Sequence, residues 1–215
     1  MKVEIYSDVV CPWCAIGKAG FESALATFAA EGGEPVEVTW RPYQLDPSAP
    51  STPSPAIEAY AKKFGGPARA KEITDHVTAV AATVGWPFDF SIAQRANTFD
   101  AHRLIAFALS VGGPVIQGQV KEALLRAYFT EGRDVGDRSE LTAIAATCGL
   151  DGEDVREMLG SNAFAAEIRE EMNEGIERGI TAVPSFVFNG VGVVSGAQEP
   201  EQFVRILHRL ASKAE

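Results

Sequence analysis

Strand signal in this chain is confined to its two ends, with a long helical text between them. Lys2–Tyr6 alternates charged and apolar residues and runs into Val9-Val10, the period-two pattern of a strand. Ala15–Ala30 follows with Phe21, Leu25 and Phe28 on one helical face, and Gly32-Gly33 ends it. Val36–Trp40 reads as a second strand. The strand pattern returns only at Val183–Phe188, where Asn189-Gly190 and Val191–Val194 complete a hairpin signal. A last helix spans Pro200–Ala211, with Phe203, Ile206, Leu207 and Leu210 apolar. The two ends must complete one sheet, so residues 1–46 and 179–215 read as one α/β domain, and 47–178 as an inserted helical domain.

Pro47–Pro55 holds four prolines and serves as the connector into the insert. Within the insert, Val115, Val120, Leu124, Ala127 and Tyr128 share a face, and Phe164, Ile168, Met172 and Ile176 form a second stripe. Asp137 with Glu140 three residues on resembles a capping box. Pro87, after Gly85-Trp86, breaks any helix there.

Cys11-Pro12-Trp13-Cys14 falls between the first strand and the first helix. The first turn of a helix presents unpaired N–H groups and partial positive charge, which stabilise a thiolate and lower a thiol pKa below about 8.5. Two intervening residues put both sulfurs on that turn. Cys11 is expected to be the exposed nucleophile and Cys14 the buried resolving thiol, in a cycle of attack, mixed disulfide and release. Pro12 lacks an N–H, which costs little at a helix start. The competing readings are a zinc knuckle and a chance pair. Zinc needs four ligands, and Cys148, His76, His102 and His208 are not at finger-like spacing, so no metal site is expected. Val183-Pro184 reads as a strand-start proline or as a cis proline in a tight turn that pairs with a substrate backbone.

The formal net charge is −10, with 19 Lys+Arg against 29 Asp+Glu, which argues against nucleic acid and anionic membrane surfaces as partners. No window approaches the roughly 20 apolar residues of a membrane span. Charges in Met1–Asp8 come too early for a secretory signal, so a cytoplasmic location is expected. Three cysteines are too few for a disulfide scaffold, and a close pair in a reducing compartment points to redox or metal chemistry.

Five segments together resemble the DsbA family of thioredoxin-fold proteins, and more narrowly its FrnE-like oxidoreductases. They are Ser7–Cys14, Trp40–Leu45, Asn97–Leu104, Ile180–Phe186 and Ser195–Gln198. Relatives include 2-hydroxychromene-2-carboxylate isomerase and the kappa-class glutathione transferases. The resemblance covers nearly the whole chain. It implies a thioredoxin fold with a large all-helical insertion, a cis Pro184, and a thiol–disulfide oxidoreductase that needs no dissociable cofactor. Protein, peptide or small-molecule thiols and disulfides are the implied partners, with glutathione as a co-substrate. The isomerase relatives carry serine where this chain has Cys11, so two cysteines favour redox chemistry. Periplasmic members have His at the position of Trp13; its absence implies a less oxidising couple. Kappa-class relatives form dimers, so the resemblance admits a homodimer.

Several further residues are candidates. Pro12, Trp13, Val183 and Pro184 would position substrate. Glu4, on the central strand, is placed to relay a proton for Cys14 or to stay an exposed strand-end carboxylate. His102 faces the cleft or serves as a structural histidine, whereas His76 and His208 read as surface residues. Arg41 reads as an anion site or, more simply, an ion pair, and Cys148 as a packed side chain or a secondary redox site. Trp13, Trp86 and Phe99 could wall an apolar cleft or pack in the core. Two rival functions stay open: a glutathione-dependent isomerase or transferase of the same fold, and a non-catalytic peptide-binding or chaperone module.

Overall fold

The computed structural model describes residues 1–50 and 52–212. Residue 51 of the proline connector and the last three residues of the second end segment lie outside the described residues. The chain opens with β1 (Lys2–Ser7), α1 (Pro12–Ala30) and β2 (Glu37–Pro42). The helical region begins with a two-residue strand, β3 (Ser54–Pro55), then α2 (Ala56–Phe64) and α3 (Pro67–Thr83). A second short strand, β4 (Gln94–Arg95), pairs antiparallel with β3 and pins the connector to the start of α4 (Phe99–Phe129). This pair was not legible in the sequence because two residues are too few to show a period. Then come α5 (Arg138–Thr147), α6 (Gly152–Gly160) and α7 (Ala165–Glu177). The chain closes with β5 (Ser185–Phe188), β6 (Gly192–Ser195) and α8 (Pro200–Ala211).

The two ends form one four-stranded sheet in the order β2-β1-β5-β6, with β1 parallel to β2 and antiparallel to β5. Asn189 and Gly190 turn the hairpin with φ of 48° and 75°, the positive values that an Asn-Gly turn supplies. Strand alternation sorts β1 into two faces. Val3 and Ile5 join the main core with Phe186 and Phe188 of β5. Phe21 of α1 meets Phe186 at 5.3 Å and Phe203 of α8 at 5.0 Å between ring centroids, so both helices cover this face. Tyr6 points the other way, into a smaller cluster with Ile180 and Val187. There α7 comes so close that a Cβ on Gly175 would sit 2.8 Å from the Tyr6 ring.

Asp137 caps α5 by accepting from the backbone N–H groups of Ser139 and Glu140, and Asp151 caps α6 in the same way. By length and composition α4 could cross a membrane. It is nevertheless broken at Gly113 (φ 69°, ψ −172°), just before Pro114, and its two halves carry the buried polar residues His102, Arg103, Gln117 and Lys121. The break also corrects the apolar stripe. Val120, Leu124, Ala127 and Tyr128 are buried, but Val115, just past the break, is 71% exposed at the rim of an open groove that Val38 and Trp40 also line. Ile176 is exposed because Gly175 takes the sheet-facing position, and the next residue points about 100° around the helix. Gln117 meets the open edge of β2, where its amide accepts from Trp40 N–H and donates to Trp40 C=O, both at 2.9 Å.

Candidate active site

Cys11 occupies the N-cap position of α1 and Pro12 its first turn, so the backbone N–H of Cys14 returns to the Cys11 carbonyl at 3.0 Å. Both thiols are free, and both are buried; Cys11 is only 3% exposed. This corrects the expectation of an exposed Cys11. The side chain that reaches solvent from the motif is Trp13, at 38%. Beside the motif lies the Val183–Pro184 peptide, which is cis. The Cys11 thiol lies 3.5 Å from the Val183 carbonyl oxygen, to which it can donate. No side chain at position 17 would leave room for this loop, since a Cβ on Gly17 would come within 2.9 Å of Pro184 Cγ. The sequence-predicted Cys11, Pro12, Cys14, Val183 and Pro184 therefore meet at one place, with Trp13 at its rim.

The two thiols lie close enough to hydrogen-bond each other, so each acts on the other's titration. Its hydrogen bond to Cys14, its burial and the charge on Cys14 push the Cys11 thiol well up. Burial also pushes Cys14 up, but the hydrogen bond from Cys11, the Lys121 ammonium, the Ser7 hydroxyl and the Asp8 backbone N–H together bring it below the ordinary thiol value. Two sulfurs on one turn hold one negative charge more easily than two, so the pair titrates as a unit. Ser7 is fully buried on the α1 face of β1; its hydroxyl has no well-formed hydrogen bond among the described residues, and the Cys14 sulfur is the charge it favours.

Asp8 follows β1 and is fully buried. Its carboxylate accepts from the backbone N–H groups of Val9 and Leu45, each at 2.8 Å. His102 Nε2 lies 3.1 Å from the Tyr43 carbonyl and 3.3 Å from Asp8 Oδ1, so that nitrogen carries the proton. His102 thus stands behind Asp8 rather than in the open cleft. Burial pushes the Asp8 carboxyl up, yet the His102 hydrogen bond, the Leu45 N–H and the Lys121 charge hold it below its ordinary value. Lys121 is itself buried, and desolvation lowers it to about 8 against the pull of Cys14, Asp8 and Cys11.

Glu4 does not serve Cys14. It lies on the opposite face of β1, where it accepts from Arg41 Nε and Arg178, each at 2.7 Å. Alternation dictates this outcome: Ser7, three residues on, points to the motif, so Glu4 cannot. Burial raises its pKa, but the two guanidinium groups outweigh that and hold it low. Arg41 also pairs with Glu171 at 3.1 Å, the ion-pair alternative for that residue. His76 is exposed, and exposed His208 bonds Glu31. Trp86 is buried against Phe88, and Phe99, under the Arg169 guanidinium, lines a groove other than the one beside the motif. Cys148 is partly buried at the end of α5 and lines a separate groove. Among the described residues no three metal-ligating side chains cluster. A groove of ≈ 540 Å³ adjoins the motif at Val10, with Leu45, Tyr60, Lys63 and Tyr128 in its walls.

Residues 2–208 match the family model of the DSBA-like thioredoxin domain. The chain belongs to the DSBA-like thioredoxin family. The DSBA-like fold, with its mixed sheet and helical insertion, extends to solved structures. The protein is 36% identical to a probable DsbA oxidoreductase from Streptomyces coelicolor, covering 100% of this chain and 91% of that one, with a TM-score of 0.90. An uncharacterized protein of Bacillus subtilis, YwbO, is 29% identical over 96% of each chain. The cytosolic disulfide reductase DsbM of Pseudomonas aeruginosa shares the fold at 17% identity, a TM-score of 0.68, and coverage of 99% of this chain and 100% of that one. Ser7, Asp8 and Lys121 are the site residues of this DSBA-like protein that sequence reasoning did not single out. Lys121 carries no distinguishing signal, since a lysine in the stripe of Leu124 and Tyr128 also reads as an amphipathic boundary.

Proposed function

We propose that the protein is a thiol–disulfide oxidoreductase whose redox group is the Cys11–Cys14 pair. The observation that carries this reading is the pair itself: two free, buried sulfurs at the first turn of α1, with the Val183 carbonyl 3.5 Å from Cys11. Cys11 gives up its proton, and its thiolate attacks a substrate disulfide to form a mixed disulfide and release one thiolate. Cys14 loses its proton to the departing thiolate, attacks Cys11 Sγ and releases the second half of the substrate. Pro12 and Trp13 shape the approach, and Val183-Pro184 offers a backbone edge to the substrate chain. Residues 47–178 act as an insertion that walls the cleft. The pair needs no dissociable cofactor.

Protein, peptide and small-molecule disulfides are the proposed substrates, and glutathione a co-substrate. The name of the 36% identical Streptomyces protein supports the reaction class. DsbM, described as cytosolic and also solved with GSH, supports a thiol partner and a cytoplasmic setting through shared fold. Insulin reduction by wild type, Cys11→Ser and Cys14→Ser tests the proposal. Turnover by wild type and loss in both variants is expected. Loss in Cys11→Ser alone would instead favour a monothiol glutathione route, and an inert wild type would overturn the reading.

A further inference from the structure

The groove that opens at Val10, one residue before the motif, is built by parts of the insertion that the redox step does not use. Pairing of β3 with β4, the Ala56 N–H bond to the Ala93 carbonyl at 2.9 Å and the Arg95–Asp46 ion pair at 2.6 Å fix the start of α2. From there α2 presents Ala56, Ala59, Tyr60 and Lys63 to the groove at i, i+3, i+4 and i+7, one helical face. The two alanines leave the space. Leu45, 42% exposed, supplies an apolar wall and is held by its N–H bond to Asp8 at 2.8 Å. The Tyr60 and Tyr128 hydroxyls lie 3.5 Å apart in this groove and have no other partner among the described residues. At most one O–H is spent between them, so at least one is left to donate to a ligand. Burial raises both phenols, which keeps them protonated. Lys62 and Lys63, exposed at the end of α2, also line the groove and form no ion pair among the described residues. With Arg95 and Asp46 neutralising each other, the two lysines face only Glu58, so the groove carries net positive charge in a chain of net charge −10.

We propose that this groove is a specificity site for disulfide-bearing peptides with an acidic residue close to the reacting cysteine: Lys62 and Lys63 meet the carboxylate, and the tyrosine pair donates to a backbone carbonyl. This rests on the redox reading of Cys11 and Cys14 and names a substrate class for it. A chain of net charge −10 repels acidic partners at long range, so a local excess of positive charge selects which of them are held beside the motif. Glutathione shares the carboxylate chemistry, but it has no apolar side chain to cover Leu45 and Trp13, the exposed apolar residues of the groove wall and of the motif. A peptide with an apolar residue beside its cysteine covers both, so the occupant is a segment of a protein substrate. The step at sulfur is unchanged, and the groove acts on binding.

The experiment follows reduction of symmetric disulfides of one short peptide, whose cysteine is followed by Leu and then by Glu, Gln or Lys, with glutathione disulfide as a fourth substrate. Wild type is expected to favour the Glu peptide over the Gln peptide about fivefold in kcat/KM, through KM, and to lose that preference at high salt. Lys62→Gln/Lys63→Gln is expected to bring the ratio close to one, and Ala59→Leu, which fills the groove, to raise KM for all three peptides. The charge-matched control Lys2→Gln/Lys71→Gln, at lysines that do not line the groove, is expected to keep the wild-type ratio. A wild-type ratio near one, an unchanged ratio in folded Lys62→Gln/Lys63→Gln, an equal loss in the control, an unchanged KM in folded Ala59→Leu, or a lysine dependence confined to glutathione disulfide would overturn the proposal. Calorimetry of the reduced peptides with Cys11→Ser/Cys14→Ser reads the groove without turnover. Lysine-dependent binding of the Glu peptide there, alongside a wild type that reduces nothing, defeats the functional reading and not this one.

Discussion

On the face of the sheet away from α1, Glu4, Arg41, Glu171 and Arg178 place two negative and two positive charges in contact, with side chains 19% to 39% exposed. Under the motif, Asp8, Lys121 and the two thiols are almost wholly buried, and their charges act mainly through backbone dipoles and at longer range. The first cluster is balanced and backed by water, so each ion pair contributes little and no charge is left over to act on a third group. The second has no such reserve. A proton that moves there changes the energy of every other member, which is what a redox centre can use.

The contrast is sharpest in what single substitutions do. Asp8→Asn keeps the shape but turns an amide N–H toward a backbone donor and removes the charge that His102 and the Val9 and Leu45 N–H groups stabilise. It should cost about 3–5 kcal/mol in urea unfolding, as expected for breaking a buried charge network. Lys121→Met should have the opposite sign. A fall from 10.5 to about 8 in the folded state corresponds to about 3 kcal/mol of stability regained near neutral pH. Between about pH 8 and 10.5 the unfolded chain holds the extra proton, so wild-type stability rises with pH and the variant's advantage fades there. Melting curves across that window check both sign and range. A variant less stable than wild type at pH 7 would break the contrast.

Glu4→Gln should show the smallest effect, about 1 kcal/mol lost, with insulin turnover unchanged. Because Glu4 is held below 4.5 in the folded state, its contribution is present above that value and is lost as pH falls through the folded one. Acid unfolding of the variant against wild type reads this directly. Reduced turnover at neutral pH would mean that the two clusters communicate through the sheet.

The two regions also differ in how far the sequence disclosed them. Both ends of the sheet, the Asn189-Gly190 turn and the meeting of Cys11, Cys14 and Pro184 follow from local pattern and the resemblance. The placement of Glu4 follows from strand parity alone, once Ser7 is assigned to the motif side. Lys121 follows from neither. Its burial beside Trp40 depends on a long-range return of α4, and an apolar stripe interrupted by one lysine reads as an ordinary amphipathic boundary. The burial of Cys11 likewise depends on how closely α1 lies against the Pro184 loop, which is set by the missing side chain at Gly17.

His102 and Lys121 lie nineteen positions apart on α4. A straight helix would separate them by about 28 Å of rise, too far for both to influence one carboxylate. Both influence Asp8, because the chain reverses at Gly113 in a conformation open in practice only to an achiral residue. The helix therefore closes like a pincer, one jaw bearing an imidazole and the other an ammonium. The hinge of that pincer is a hydrogen atom where any other amino acid would carry carbon.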